Sequence, residues 1–264
     1  MRAYATLIGQ FIRASVQQEL AYRANFLISL MHSLLNAATG VLGVAVLFAL
    51  VETVRGWDLG ATLAVLGVYL TVGALRDLVI SPSLDALAGM DGEVWTGRLD
   101  FTLLRPVDIQ FLASVRHWRP FALVDLVIGI GVLVAAAARL DAAPGPGDLA
   151  AFLVAFGAGL LALYAVLLAF IGLTFWSPGF LFSWVFDGLF QMARYPVGLY
   201  PGWMRLALTW VVPVGIITTV PAQALAGDVG PGLLAGSVIA AVGLFAGATA
   251  LFRAGLRRYA SASS

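Results

Sequence analysis

Two amino acids are missing from this chain of 264 residues: it has no cysteine, and all fifteen of its basic residues are arginine, so lysine is absent as well. The missing cysteine excludes disulfides, thiolate metal sites and cysteine nucleophiles. A P-loop needs its lysine to reach the β- and γ-phosphates of a nucleotide. The chain therefore cannot carry a standard Walker-type ATPase site of its own.

Charge is also scarce, because only 11% of the residues are charged while 61% are hydrophobic. Soluble domains carry roughly a quarter charged residues, so this composition predicts an integral membrane protein. The two histidines, His32 and His117, are isolated, and no HExxH, GxSxG or paired-carboxylate pattern occurs. We therefore expect no catalytic residue, cofactor-binding residue or metal ligand in this chain.

Five apolar stretches are long enough to cross a membrane as helices, which takes roughly 20 residues. They cover residues 25–51, 61–80, 121–138, 149–175 and 232–252. Two shorter apolar pieces, residues 179–193 and 206–222, lie between the fourth stretch and the last.

Arginine counts near the ends of the spans predict the orientation. Three arginines precede the first span, four lie in the loop of residues 81–119 and three follow the last span. The two short loops on the other side hold one each, Arg55 and Arg139. Both termini and the 81–119 loop are therefore predicted to be cytoplasmic.

This orientation requires an even number of spans, so only one of the two short pieces can cross. Residues 179–196 are the better candidate, because this segment must start on the inside. Residues 206–222 would then re-enter from the outer side, since prolines break helices and reverse the chain. Within the outer region 196–225, the residues assigned to the re-entrant turn are Pro196, Pro201, Gly202, Trp203 and Pro213. The prediction is six spans and one outer re-entrant hairpin.

The first 24 residues have apolar side chains on one helical face and polar side chains on another. This pattern favours a helix lying in the membrane interface, with packing against the bundle as the alternative. Because the segment carries Arg2, Arg13, Glu19 and Arg23 and lacks a continuous apolar core, we do not expect a cleavable signal peptide.

The 81–119 loop is much longer than a connection between two spans needs to be. Ser81 as N-cap, Pro82 at the first helical position and Asp85 in the first turn predict a short helix over residues 82–96. Asp91-Gly92 would end or kink it. The loop also mixes charges with aromatic residues, so we interpret it as a docking surface, the alternative being a merely solvated loop.

Four stretches carry a family resemblance. They are ELAYRANF (residues 19–26), GRLDFTLLRPVDIQFL (97–112), YPVGLYPGW with VVPVGIITTVPAQAL (195–225), and the tail RRYASASS (257–264). In these the chain resembles the ABC-2 type permeases, the membrane subunits of ABC exporters, and more narrowly the ABC-2 family transporter proteins.

The resemblance implies one all-α transmembrane domain over residues 1–264, with an interface helix, six spans, a coupling helix between spans two and three, and re-entrant helices before the last. It also implies partners in a bacterial inner membrane: a separate cytoplasmic ABC ATPase that binds ATP and Mg, and a second permease, identical or related. Membrane lipids would surround the chain, and no nucleic acid is expected.

Several charged residues are candidates for function. Those predicted to line the contact with the ATPase are Asp85, Asp91, Glu93, Arg98, Asp100 and Arg105. Arg105 and Asp100 could instead pair with each other. Charges within spans are Arg76, Asp77, Asp125 and Asp187. The first three lie near span ends, where snorkelling explains them, whereas Asp187 is expected to pair with Arg76 or Arg194, or to contact substrate.

Three functional hypotheses follow. The chain is predicted to be an ABC exporter permease that forms the translocation pathway as a dimer. The first alternative is a proton- or ion-coupled carrier that uses Asp77, Asp125 and Asp187. The second is a membrane enzyme, against which the missing catalytic pattern argues. The apolar spans favour an amphipathic or lipid-like cargo.

Overall fold

Helices form nearly all the regular structure of this chain. The computed structural model describes residues 2–21, 23–177 and 182–259, and these ranges contain no β-strand. In chain order the helices are α1 (Arg2–Leu20), α2 (Arg23–Phe48), α3 (Leu59–Asp85), α4 (Glu93–Thr96), α5 (Leu99–Leu103), α6 (Ile109–Val115), α7 (Pro120–Ala137), α8 (Pro146–Thr174), α9 (Phe182–Phe190), α10 (Gly202–Val211), α11 (Gly215–Leu225) and α12 (Pro231–Arg258).

Five of these helices, α2, α3, α7, α8 and α12, are long and apolar enough to cross a membrane, and a sixth crossing is possible if the bent pair α10–α11 counts as one. The predicted all-helical membrane fold is therefore confirmed. Residues 178–181, the last three of which begin the predicted span 179–196, and residues 260–264 of the tail lie outside the described residues.

The second span differs from its prediction, because α3 continues past Ile80 to Asp85. Ser81 was predicted to be an N-cap, which is wrong: its backbone is helical, with φ −60° and ψ −44°, and its hydroxyl accepts a hydrogen bond from Arg76 Nε at 3.0 Å. Pro82 is tolerated inside the helix because the Leu78 carbonyl, four residues earlier, accepts instead from the Arg119 backbone N–H at 3.1 Å. A π-helical turn over Arg76–Ile80 accommodates the proline ring.

Close backbone approaches hold the long helices together. A Cβ atom on Gly129 of α7 would lie 2.7 Å from the Thr71 backbone nitrogen of α3, and one on Gly255 of α12 would lie 2.8 Å from the Gly172 carbonyl oxygen of α8. Small residues at such crossings let membrane helices pack closely. The α3–α7 and α8–α12 pairs therefore form the frame of the bundle, with α3 as its most buried helix.

Residues 187–200 run along α3 from Arg76 back to the start of the helix. Asp187 is ion-paired with Arg76, nine residues before the end of α3. The Tyr200 carbonyl accepts a hydrogen bond at 3.0 Å from Arg55, which precedes the start of α3. Between them, α9 gives way to a 3-10 turn, Gln191–Arg194, and then to extended backbone at Pro196. The nine residues of α9 alone cover roughly 14 Å, about half of a bilayer core.

Helices α10 and α11 form a bent pair with an angle of 80° between them. Pro213 lies at the bend, and extended Pro201 precedes Gly202, the first residue of α10, so helix breaks occur at these two prolines. Pro221 was also expected to break a helix, which is wrong, because it lies inside α11. α11 packs on α8: a Cβ on Gly159 would lie 2.9 Å from the Ile217 carbonyl oxygen, and one on Gly227 would lie 3.4 Å from Asp148. The α11 helix therefore runs from the middle of α8 back towards its first turn.

Candidate functional site

The 81–119 loop is folded around a small polar cluster. Glu93 forms an ion pair with Arg116, and Thr102 Oγ1 donates a hydrogen bond to Glu93 Oε2 at 3.1 Å. Thr102 Oγ1 in turn accepts from Arg116 at 3.1 Å. Each of the two charged side chains is only 14% exposed. Glu93 was predicted to line a contact with a partner; instead it lies inside the loop and holds α4, α5 and the end of α6 together.

The same loop ties the end of α3 to the start of α7. Ser83 Oγ donates to the His117 carbonyl oxygen at 2.9 Å and accepts from the His117 backbone N–H at 2.8 Å. The His117 ring accepts from Arg116 Nε at 3.0 Å. Burial lowers the pKa of His117, and the neighbouring Arg116 guanidinium lowers it further. The ring is therefore neutral near pH 7 and available as an acceptor.

Helix α6 rests on the two helices of the α8–α12 pair. Asp108 caps it by accepting from the Phe111 backbone N–H at 2.9 Å. Its Gln110 side chain donates to Thr249 Oγ1 of α12 at 3.2 Å, and Ser114 Oγ lies 2.7 Å from the Tyr164 hydroxyl of α8. The loop is therefore mounted on four long helices, since it also continues directly from α3 and into α7.

Asp100 was predicted to line the contact with the ATPase or to pair with Arg105. Its carboxyl lies close to Tyr259 at the end of α12. Burial raises the pKa of the Tyr259 phenol, and the Asp100 carboxyl raises it further. Arg105 itself is exposed.

The exposed loop surface combines large apolar side chains with charges. Phe101 is 73% exposed and Leu104 is 82% exposed. We define the exposed loop surface by eight of the loop's exposed residues, which are Asp85, Met90, Asp91, Trp95, Arg98, Phe101, Leu104 and Arg105. Arg98 is held in place by donating to the Asp91 carbonyl oxygen at 2.6 Å and to Thr96 Oγ1 at 3.0 Å. Concentrated exposed apolar side chains mark interaction sites.

Helix α1 packs against this loop rather than standing apart from it. Ser15 Oγ accepts from the Trp118 backbone N–H at 3.1 Å, and Glu19 accepts from the Phe121 backbone N–H at 2.8 Å. Burial raises the pKa of Glu19, although the hydrogen bond from Phe121 opposes the rise. The contacts agree with the alternative of packing, while the amphipathic surface of α1 is also compatible with an interface location.

Arg76 lies close to two of the acidic residues that were predicted to lie within spans, Asp187 and Asp77. Arg76 is 12% exposed on its side chain, is ion-paired with Asp187, and lies 5.7 Å from the Phe186 ring centroid. Asp77 approaches Arg76 at 4.0 Å. Arg194, the other predicted partner of Asp187, instead donates to Asn36 of α2 and lies 5.6 Å from the Tyr69 ring centroid. The pairing explains how charges are tolerated at this depth.

Asp77 and Asp125 line one cavity. It has a volume of about 770 Å³ and lies between α1, α2, the end of α3 and the start of α7. His32, which was predicted to be isolated, lines the same cavity. Sequence reasoning missed Arg116 and Thr102, because nothing in the local sequence connects them to Glu93.

A family model described as "ABC-2 family transporter protein" matches residues 34–263. The chain belongs to this family. The match includes the whole 81–119 loop and the described parts of α3 to α12, whereas α1 and the start of α2 lie outside it. No curated protein and no solved structure matches the chain.

An ABC-2 family transporter protein is a multi-pass membrane subunit of an ABC transporter, with a role in transport rather than catalysis. The family implies association with an ABC ATPase in general. This identification agrees with the resemblance carried by the four sequence stretches, three of which lie entirely or almost entirely within the matched residues.

Proposed function

We propose that this ABC-2 family transporter protein is the permease subunit of a bacterial ABC exporter, driven by a separate cytoplasmic ATPase. The observation that carries the proposal is the exposed loop surface. It presents apolar side chains and charges on a loop that is mounted on α3, α7, α8 and α12. A push on this loop would therefore move four of the long helices together.

The absence of lysine supports the same division of labour. A chain without a P-loop lysine needs an energy source elsewhere. In the proposed mechanism, ATP binding closes the ATPase dimer, and the movement passes from the exposed loop surface into α3. The element that carries the movement is the continuous end of α3, Ser81–Asp85, together with α4, rather than the single helix predicted over residues 82–96.

The experiment is co-expression with an ABC ATPase from the same organism. We expect a complex that survives purification and hydrolyses ATP, with transport that stops when ATP is withheld. Purification of the chain alone, combined with transport driven by a proton gradient, would contradict the proposal. That result would favour the ion-coupled carrier, for which Asp187 is a poor candidate because it is already ion-paired with Arg76.

The proposed topology has both termini inside and six crossings. In it, residues 182–200 complete the fifth crossing, and α10–α11 re-enter from outside with Pro213 at their deepest point. The contact of Gly227 with the first turn of α8, and that of Ile217 with the middle of α8, support this arrangement. Irregular backbone at membrane depth is tolerated where it is buried in protein, and residues 213–222 are buried.

Cysteine labelling tests this topology directly, because the natural chain has no cysteine. Trp203→Cys, at an exposed position, should react with a membrane-impermeant maleimide in intact cells. If α10–α11 crossed instead, residue 203 would lie inside and remain unlabelled. Asp228→Cys should be labelled under either topology, and Arg105→Cys under neither, so they serve as the two controls.

A dimer of permeases and an amphipathic cargo complete the proposal. Large apolar side chains on α2 and α12 face outward, with Val46 and Ile239 each 72% exposed. Such faces can contact lipid or a second permease, identical or related. The few charges along the spans fit an amphipathic cargo better than a free sugar.

A further inference from the structure

A cavity of about 610 Å³ opens at the end of the bundle opposite the 81–119 loop. It lies between the turn before α3, the segment around Gly198, and helices α10 and α11. Its charged lining residues are Arg55 and Arg205, and its aromatic lining residues are Trp57, Tyr200 and Trp210. None of the lining residues is an aspartate or glutamate. The cavity therefore carries two positive charges that no acidic residue of its lining neutralises.

The backbone holds Arg55 in an uncommon conformation. Val54 and Trp57 exchange backbone hydrogen bonds of 2.9 and 3.0 Å across a two-residue turn. Both central residues have positive φ, 51° for Arg55 and 81° for Gly56. Such turns favour asparagine or aspartate at the first position, and a long side chain with a Cβ is disfavoured there. The turn aims the guanidinium at the Tyr200 carbonyl oxygen, 3.0 Å away, at the cavity wall.

Arg205 faces the same cavity from α10. It is exposed, and it forms no ion pair with any of the residues that the structure describes. One turn further along α10, Thr209 and Trp210 also line the cavity. The adjoining apolar side chains are exposed as well, with Leu206 at 61% and Val211 at 75%. A cation and an apolar surface therefore lie side by side on one short helix.

We propose that this cavity binds the anionic headgroup of an amphiphile, a phosphate or a carboxylate, in the outer leaflet. Guanidinium groups bind such oxygens through charge-assisted and often bidentate hydrogen bonds. Two unneutralised arginines in a partly enclosed cavity also raise the local concentration of anions. Leu206, Trp210 and Val211 would contact the acyl chain, and tryptophan suits the depth of the interface. Only the location in the outer leaflet rests on the proposed function, because the proposed topology places this end of the bundle outside.

Three probes separate the contribution of the headgroup to binding from that of the acyl chain. Lysophosphatidic acid carries both a phosphate and an acyl chain, monoacylglycerol carries the chain alone, and glycerol phosphate carries the headgroup alone. Their binding to the purified full-length chain is measured by native mass spectrometry. We expect saturable binding of lysophosphatidic acid and much weaker binding of the other two.

Variants then test the arginines. Arg205→Gln should weaken the binding of lysophosphatidic acid roughly tenfold, because the loss of one hydrogen bond to a charged group changes a binding constant by about that factor. Arg205→Lys keeps the charge and should retain most of the affinity. Arg139→Gln is the control, because Arg139 was also predicted to lie on the outer side but does not line the cavity. It should leave the affinity for lysophosphatidic acid unchanged.

The proposal is overturned by any of three results. If monoacylglycerol binds as tightly as lysophosphatidic acid, the cavity does not recognise the anionic headgroup. If glycerol phosphate binds as tightly, the acyl chain does not contribute to binding. If Arg205→Gln and Arg139→Gln lose the same amount of affinity for lysophosphatidic acid, Arg205 does not bind the headgroup. The three-probe comparison on the unaltered chain still decides the matter if Arg205→Gln fails to fold. Because no ATPase is needed, failure here leaves the exporter proposal standing, and the converse also holds.

Discussion

Replacement of Glu93 by alanine should unfold the 81–119 loop and lower the stability of the purified chain by about 3–5 kcal/mol. The reason is Arg116, whose side chain is 14% exposed and whose only carboxylate partner among the described residues is Glu93. Removal of that partner leaves a buried cation uncompensated, and Thr102 loses its acceptor as well. Thermal unfolding in detergent and limited proteolysis of the loop measure the effect.

Arg105→Ala is the matched control, since it removes an exposed charge from the same loop and should change stability by less than about 0.5 kcal/mol. A double variant, Glu93→Leu with Arg116→Met, should recover much of the loss, because replacing both members of a buried pair with apolar side chains is often nearly neutral. Equal stability of Glu93→Ala and Arg105→Ala would refute the structural role given to Glu93.

The second large effect is expected at Asp187. Asp187→Ala should destabilise the chain by about 2 kcal/mol, less than a fully buried pair would lose. The discount has two causes: the Asp187 side chain is 44% exposed, and Asp77 remains 4.0 Å from Arg76. The Arg76 cation would keep its place beside the rings of Phe186 and Phe190 but lose its main counter-ion. The segment from α9 to Tyr200 would then lose one of its contacts with α3, while the contact of Arg194 with Tyr69 would remain.

A double-mutant cycle isolates this pair. The double variant Arg76→Met with Asp187→Ala should lose less free energy of unfolding than the two single variants together, because each single variant leaves one charge without its partner. Thermal unfolding of all four proteins gives the coupling. Strict additivity would show that the ion pair contributes nothing to the anchoring of α9.

The long helices could be predicted because length and hydropathy define them almost alone. α8 and α12 begin and end within a few residues of the predicted bounds, except that α12 continues as far as Arg258. Helix breaks at Pro201 and Pro213 were equally accessible, since proline acts through its own missing N–H and ring. These features are local, so a single sequence contains them.

Ser81-Pro82 shows where local reasoning fails. The dipeptide has the composition of a helix start, yet α3 continues through it. The deciding interaction is the hydrogen bond from the Arg119 backbone to Leu78, 41 residues away in the chain, which satisfies the carbonyl that Pro82 leaves free. A long-range backbone contact of this kind leaves no trace in local composition.

The charged residues divide in the same way. Sequence reasoning narrowed the partner of Asp187 to Arg76 or Arg194, but the choice depends on how α9 packs against α3. Glu93 was grouped with the exposed charges because its partner Arg116 is 23 residues distant. The sequence did not predict that Arg55 and Arg205 share a site, because the cavity that both residues line is formed only when the α10–α11 pair folds.

The most direct test of the docking claim is whether the ABC ATPase still co-purifies after one charge is added to the exposed loop surface. Leu104→Asp places a carboxylate at a position that is 82% exposed in that surface, and Leu50→Asp does the same at a 94% exposed position at the other end of the bundle. We expect Leu104→Asp to lose the ATPase and Leu50→Asp to keep it, with both variants folded. Retention of the ATPase by Leu104→Asp at the level of Leu50→Asp would contradict the account.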